Sequence, residues 1–345
     1  MKLLIVTQTV DADNPALGFF VSWIREFSKH VEHTEVICLK KGQYTLPKEI
    51  SIHSLGKERG SVSPILYAIR FMFLAWKHRS SYDVVFVHMN QEYVVLAGWL
   101  WKLLGKRVYL WRNHYAGSWK TDFAVLFCAK VFCTSQSSYT AKYQKTMLMP
   151  VGVDVSVFTS PQKDIRKEKS ILFLARIAPS KHPEILLNAL DVLTSKRVTF
   201  SATLVGPTLP EHESYRVALE KRIQSSLLAG RVAILPGVQH RETSVVYAEH
   251  AIFVNTSLSG MFDKTLFEAA VSGCMVFARS ADWRALVGDT HFFSSSEDLV
   301  RRIEDFLSKT EDERSRLVAD QAKIAERHSL ENLGLAFKKE IRNIK

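Results

Sequence analysis

The chain has 345 residues, 47% of them apolar and 23% charged, with 15 Gly and 10 Pro. That balance supports two domains with sizeable cores and excludes collagenous, low-complexity and disordered classes. Net charge is +11, but residues 1–150 hold 19 Lys and Arg against 10 Asp and Glu while residues 151–345 hold 27 against 25, so the first half is expected to face an anionic partner.

Short apolar, β-branched runs alternate with segments of helical period from one end to the other. The first half reads as strand Leu3–Thr7, helix Phe19–His30, strand Glu35–Leu39, helix Pro64–Arg79, strand Asp83–His88, helix Tyr93–Leu104, strand Arg107–Arg112, strand Val131–Cys133 and helix Ser137–Gln144. A polar stretch, Val155–Ser170, breaks the pattern and reads as a linker. The alternation resumes with strand Ile171–Ala175, helix Pro183–Ser195, strand Thr199–Val205, helix Ser214–Leu228, strand Val232–Leu235 and a short helix at Thr243–Glu249. Strand Ile252–Asn255, helix Lys264–Ser272, strand Met275–Ala278, helix Ser296–Ser308 and a helical end from Glu311 complete the chain. This order predicts an α/β protein of two doubly wound, Rossmann-like domains facing across a cleft. The boundaries are 1–155 and 156–328, with a last helix, 329–345, packed back on the first domain.

The first residues read as a buried strand rather than a secretory signal, and no apolar window reaches the length of a spanning helix. Cys38, Cys128, Cys133 and Cys274 form neither a disulfide framework nor a zinc spacing, which predicts a reducing, cytoplasmic setting. Helix Pro64–Arg79 has one stripe, Ile65, Ile69, Met72, Phe73 and Trp76, that reads as its core face. Leu66, Tyr67, Phe71 and Leu74 fill much of the rest, so the helix is either deeply buried or partly inserted in lipid, and burial is the favoured reading.

No G-x-G-x-x-G or G-x-x-x-x-G-K-[ST] is present, so ordinary dinucleotide and P-loop sites are not expected. Two segments carry chemistry instead. In ILFLARIAPSKHPEILLNAL, a buried strand ends at Arg176 and Lys181 precedes a helix, which places two cations where an open α/β sheet binds phosphate. In NTSLSGMFDKTLFEAAVSG, a strand ends at Asn255, Gly260 sits in a loop, and a helix opens at Asp263–Lys264 with Glu268 one turn in. A helix amino terminus favours anions, and Glu268 has the chemistry to accept from two ribose hydroxyls.

With these segments the chain resembles the retaining GT-B glycosyltransferases of family four, strongly over residues 165–290. The resemblance implies a nucleotide-sugar donor, UDP- or GDP-linked, and transfer with retention to a glycan or lipid-linked acceptor in surface polysaccharide or glycolipid synthesis. It carries the donor-phosphate cations to Arg176 and Lys181, and the interdomain P-N-G-V-D-x-x-x-F element to MPVGVDVSVF, which lacks the Asn. The nucleotide base falls near Gly237–Val238, and the other donor contacts on Gly18, Lys264, Thr265 and Glu268. The first Glu of the family's E-x7-E is replaced by Gly260, followed by Phe262-Asp263-Lys264. His88, taken as catalytic, ends a strand that resembles the one ending in the family's cleft histidine; on the next strand the family's catalytic-region histidine falls on Asn113, with His114 one position off, and both are placed on the acceptor side. Asp11-Ala12-Asp13 matches the metal-holding D-x-D of another transferase class, but so short a match is read as a polar loop. No metal or cofactor is expected, nor nucleic acid as a partner, since no basic-aromatic module is evident. An anionic membrane surface on the cytoplasmic face is the candidate partner of the basic first half. The alternative to an enzyme is a non-catalytic GT-B protein that binds glycan or lipid.

Overall fold

The computed structural model describes residues 1–159, 165–260 and 263–342. The chain folds as two compact units, Met1–Gly152 with Leu330–Lys345, and Val153–Ser329.

The first unit is built on seven parallel strands: β1 (Lys2–Val10), β2 (His33–Lys41), β3 (Ile50–Ser54), β4 (Val84–His88), β5 (Arg107–Trp111), β6 (Lys130–Cys133) and β7 (Thr146–Leu148), ordered β3-β2-β1-β4-β5-β6-β7. Central strands of such a sheet are covered on both faces, which is why β1 and β4 read as unbroken apolar runs. Alternation along β1 feeds two cores. Leu3 and Ile5 pack with helices Phe20–Ser28 and Leu330–Arg342. Leu4 and Val6 pack with helices Pro64–Lys77, Glu92–Leu103 and Trp119–Phe127. The last helix thus belongs to the first core through Leu333, Phe337 and Ile341, and Lys130 pairs with Glu340 at 2.6 Å.

The second unit holds β8 (Lys167–Leu174), β9 (Ser201–Val205), β10 (Val232–Leu235), β11 (His250–Asn255) and β12 (Met275–Ala278), all parallel, ordered β10-β9-β8-β11-β12. Helix Glu311–Glu326 sends Gln321 to the free edge of β12, where its Oε1 accepts from Val276 N at 3.1 Å and its amide donates to Cys274 O. Unpaired strand-edge groups are thereby satisfied.

Several sequence expectations are corrected. Lys167–Ser170 is the start of β8, not linker, and Val155–Phe158 forms a helical turn; the rest of the expected linker includes residues 160–164, outside the described set. The expected helix at Ser137–Gln144 is only a 3₁₀ turn, Tyr139–Lys142. Hydroxyls there are committed elsewhere: Ser138 Oγ donates to Asn113 Oδ1 at 2.9 Å and Thr140 Oγ1 to Arg112 O at 2.8 Å. The favoured burial of helix Pro64–Lys77 is also wrong. Phe71 and Ala75 are its buried residues, while Ile65, Ile69, Phe73 and Trp76 of the expected core stripe face solvent.

Candidate functional site in the second unit

In a sheet ordered 10-9-8-11-12, the winding reverses between β8 and β11, and open α/β sheets place their binding site beyond the carboxyl ends of such a pair of strands. The loop after β8 carries Arg176 and Lys181, and the loop after β11 carries Ser257, Gly260 and Asp263. They meet directly: Lys181 Nζ donates to Ser257 Oγ and Asp263 Oδ2, both at 2.9 Å, and Thr256 Oγ1 donates to Lys181 O.

Asp263 also accepts from Asn255 Nδ2 at 3.1 Å. Burial works to raise its pKa, but Lys181 and the hydrogen bonds from Asn255 and Ser257 outweigh it and hold the carboxyl below the usual range. Asp263 occupies the N-cap of helix Lys264–Val271, yet its side chain makes no capping bond to that helix. The helix start is closed by backbone instead, Leu266 N donating to Asp263 O at 3.1 Å. Arg176 is exposed and makes no hydrogen bond or ion pair with any described residue. The two expected cations thus differ in state, Lys181 neutralised by Asp263 and Arg176 uncompensated by any described residue.

Lys264 is half-exposed by surface, but its ammonium is enclosed by protein. This desolvation pushes its pKa down to about 7, against the attraction of Glu268 and Asp154. Glu268, one turn on, is 4% exposed. Its Oε1 lies 3.2 Å from His240 Nε2 and its Oε2 accepts from Tyr247 OH at 3.1 Å. Burial and the Glu268 charge drive the Tyr247 phenol well above its ordinary pKa, so it stays a donor. Two lone pairs of the carboxylate remain for other donors. Thr265 Oγ1 stands 3.5 Å from Asn255 Nδ2 at the same helix start.

Glycines bring the loops beyond these strand ends close together. A Cβ on Gly206, just past β9, would lie 1.7 Å from Ala175 O, and one on Gly237, past β10, 2.6 Å from Pro207 Cδ. The loops beyond β8, β9 and β10 are therefore in backbone contact, with half-buried Val238 beside them. Gly206 was missed in the sequence; its signal was a Gly-Pro step ending a strand. Gly260 has φ +97°, the left-handed region that favours glycine, and its N–H donates to Asp282 Oδ2 at 2.8 Å. Asp282 was missed as well. Its carboxylate, carried by helix Ala281–Val287, is held at the Gly260 amide. Phe262 lies outside the described residues.

The first-unit candidates gather at the carboxyl ends of β1, β4 and β5. His88 is 2% exposed, with Nδ1 3.2 Å from Thr7 Oγ1 and its ring stacked on Phe20 at 3.9 Å. Gly18 is a site of close approach, since a Cβ would meet Ala12 O at 2.6 Å and Asn14 O at 2.7 Å. Asn113 Oδ1 accepts from Thr134 N at 3.2 Å, and His114 Nδ1 accepts from Ala116 N at 2.9 Å. Asp11 Oδ1 accepts from Gln43 N at 3.1 Å and Asp13 N at 3.2 Å, so the D-x-D carboxylate closes its own loop.

Elsewhere among the described residues, Glu35, His53 and His78 bring three metal-type ligand atoms within 4.8 Å of one another. Glu35 accepts from His53 Nε2 at 2.6 Å and from His33 Nε2 at 3.0 Å. Both carboxylate oxygens are thus occupied by imidazole N–H groups. Burial tends to raise the Glu35 pKa, but these bonds win and hold it below the usual range.

Residues 158–323 match the family model described as glycosyl transferases, group 1, just under half the chain. Among solved structures, HepE of Anabaena, crystallised with UDP, superposes with a TM-score of 0.80 at 17% identity over 100% of both chains. Sucrose-phosphate synthase of Thermosynechococcus elongatus gives 0.75 at 14% identity, over 99% of this chain and 98% of that one. A glycosyltransferase of Rickettsia africae gives 0.75 at 17%, over 100% of both. No curated protein sequence matches.

Proposed function

From a GT-B fold whose residues 158–323 match the group 1 glycosyl transferases, we propose a retaining glycosyltransferase that uses a UDP- or GDP-sugar. The observation that carries this reading is that Arg176, unpaired with any described residue, and Lys264, whose ammonium is desolvated, both lie beyond the carboxyl ends of β8 and β11, the two strands of the switch point. Val238 takes the base, Glu268 the ribose hydroxyls, and Arg176, Lys181 and Lys264 the diphosphate. HepE was also crystallised with UDP-glucose, which supports a donor of this class.

The chemistry needs a departing diphosphate stabilised while the sugar becomes oxocarbenium-like. The bond from C1 to the phosphate oxygen breaks, the acceptor oxygen bonds C1 on the same face, and the acceptor proton passes to a donor phosphate oxygen. Arg176 and Lys264 supply the positive field without a metal. The first unit, with His88, Asn113 and His114 at its strand ends, takes the acceptor, a glycan or a lipid-linked sugar of a cytoplasmic surface-polysaccharide or glycolipid pathway.

One observation favours the alternative of a non-catalytic glycan or lipid binder: Gly260 carries no carboxylate. Asp282 answers it by holding a carboxylate against the Gly260 amide, where it has the chemistry to accept from donor-sugar hydroxyls. A screen of UDP- and GDP-sugars for hydrolysis or transfer decides between the two. Turnover of one donor is the expected result, and nucleotide binding without turnover of any would leave the binder.

A further inference from the structure

The sheet face that carries Leu4 and Val6 is covered by three helices, Pro64–Lys77, Glu92–Leu103 and Trp119–Phe127. Their inward sides supply Phe71, Trp101, Ala124 and Val125 to the core. Gly98 brings the second and third together, since a Cβ there would meet Phe127 at 2.7 Å.

Their outward sides are apolar too. Ile65 is 72% exposed and Phe73 61%; Trp76, Trp99, Leu103 and Leu126 are exposed, and Trp119 is 70% exposed. An apolar surface this extended marks an interaction site. Four basic side chains, Arg70, Lys77, Lys102 and Lys120, lie within these helices, against two acidic ones, Glu92 and Asp122. Asp122 is already paired with Lys142 at 3.0 Å. Arg79, just past the first helix, lies over the Trp76 ring at 4.2 Å.

We propose that this three-helix face docks on an anionic lipid surface, with its Trp, Phe and Ile side chains at the level of the headgroups and its Lys and Arg on the phosphates. Charge complementarity selects this occupant: the face combines three exposed Trp with a cationic excess, the composition that seats a protein in a membrane interface. A neutral protein groove would match the apolar side chains but not the basic ones around them. No described helix is long and apolar enough to cross a membrane, so docking is peripheral. The proposal deepens the acceptor side of the glycosyltransferase reading, because a lipid-linked acceptor lies on such a surface, but attachment itself does not depend on catalysis.

Co-sedimentation of the full chain with vesicles tests it, using neutral phosphatidylcholine and a phosphatidylcholine–phosphatidylglycerol mixture at low and high salt. The anionic vesicles should retain the protein at low salt and release it at high salt, with neutral ones retaining far less. Each basic side chain near such a leaflet is worth about fivefold in partitioning, so Lys77→Ala with Arg79→Ala should lower it roughly 30-fold. Phe73→Glu should abolish retention while leaving the melting temperature and the heat of UDP binding unchanged, as Phe73 is outside the core and the donor site. Equal, poor retention on both vesicles overturns the proposal, as does full retention of Phe73→Glu. So does a dimer in sedimentation velocity that Phe73→Glu dissociates, which would assign the face to a second copy. A failed donor screen with intact vesicle binding would refute the enzyme reading alone.

Discussion

If the donor diphosphate sits beside Lys264, as proposed, its binding is linked to pH. The Lys264 ammonium is pushed down to about 7 by desolvation, so about nine-tenths of the molecules carry a neutral Lys264 at pH 8. A phosphate about 4 Å away, at an effective dielectric near 20, favours the charged form by about 4 kcal/mol, or roughly three pKa units. Binding a nucleoside diphosphate therefore restores a near-ordinary lysine and takes up close to one proton at pH 8, and about half of one at pH 7. Apparent affinity should fall by roughly 50-fold from pH 7 to pH 9, because the neutral enzyme must first be protonated.

Titration calorimetry in buffers of different ionisation enthalpy reads this uptake directly. At pH 8 the observed heat should vary with buffer, with a slope near one proton, whereas a Lys264→Arg protein, always charged, should show a slope near zero. The same depression acts on folding: between about pH 7 and the ordinary lysine pKa the unfolded chain binds the extra proton, so this group's contribution to stability rises with pH. Binding at pH 8 with buffer-independent heat would refute the placement of the diphosphate beside Lys264.

Other expected outcomes follow from the same geometry. Gly206→Ala puts a Cβ into Ala175 O, so it should lower the melting temperature and weaken nucleotide binding together; a stable variant with full affinity would contradict the close approach. Glu268→Ala leaves the buried Tyr247 hydroxyl without its acceptor and should cost about 1–3 kcal/mol of stability, most of it recovered in Glu268→Ala/Tyr247→Phe, as urea unfolding would read. Nucleotide affinity should fall in both Glu268 variants alike, and unchanged affinity would remove Glu268 from the ribose. Transfer should survive EDTA; complete loss, restored by manganese, would return a catalytic role to Asp11 and Asp13.

How legible each part was depends on how local its cause is. The central strands β1, β4, β8 and β11 and the helices after them stood out because both faces of a parallel sheet demand apolar side chains. The edge strands β3 (ISIHS) and β7 (TML) did not, being short and open on one side. Helix Trp119–Phe127 was missed because its N-terminal signal is a Ser118–Thr121 pair without the usual acidic or amide partner. The stripe on helix Pro64–Lys77 had the right period and the wrong sign: periodicity identifies a face without saying which side the protein covers. At the site, Arg176, Lys181, Lys264 and Glu268 were visible as charged residues beside buried strands. The Lys181–Asp263 pair, the Tyr247–Glu268 bond and Asp282 at Gly260 join residues 82, 21 and 22 positions apart, and only the fold brings them together.

The central claim is that a sugar nucleotide is cleaved at the carboxyl ends of β8 and β11, and Arg176 tests it most directly. Arg176 is exposed and unpaired with any described residue, so Arg176→Ala should fold and melt as the parent does. Its turnover of the accepted UDP- or GDP-sugar should drop by about 10²–10³, the loss typical of a donor that stabilises a developing negative charge. Turnover by Arg176→Ala equal to that of the parent would contradict the account.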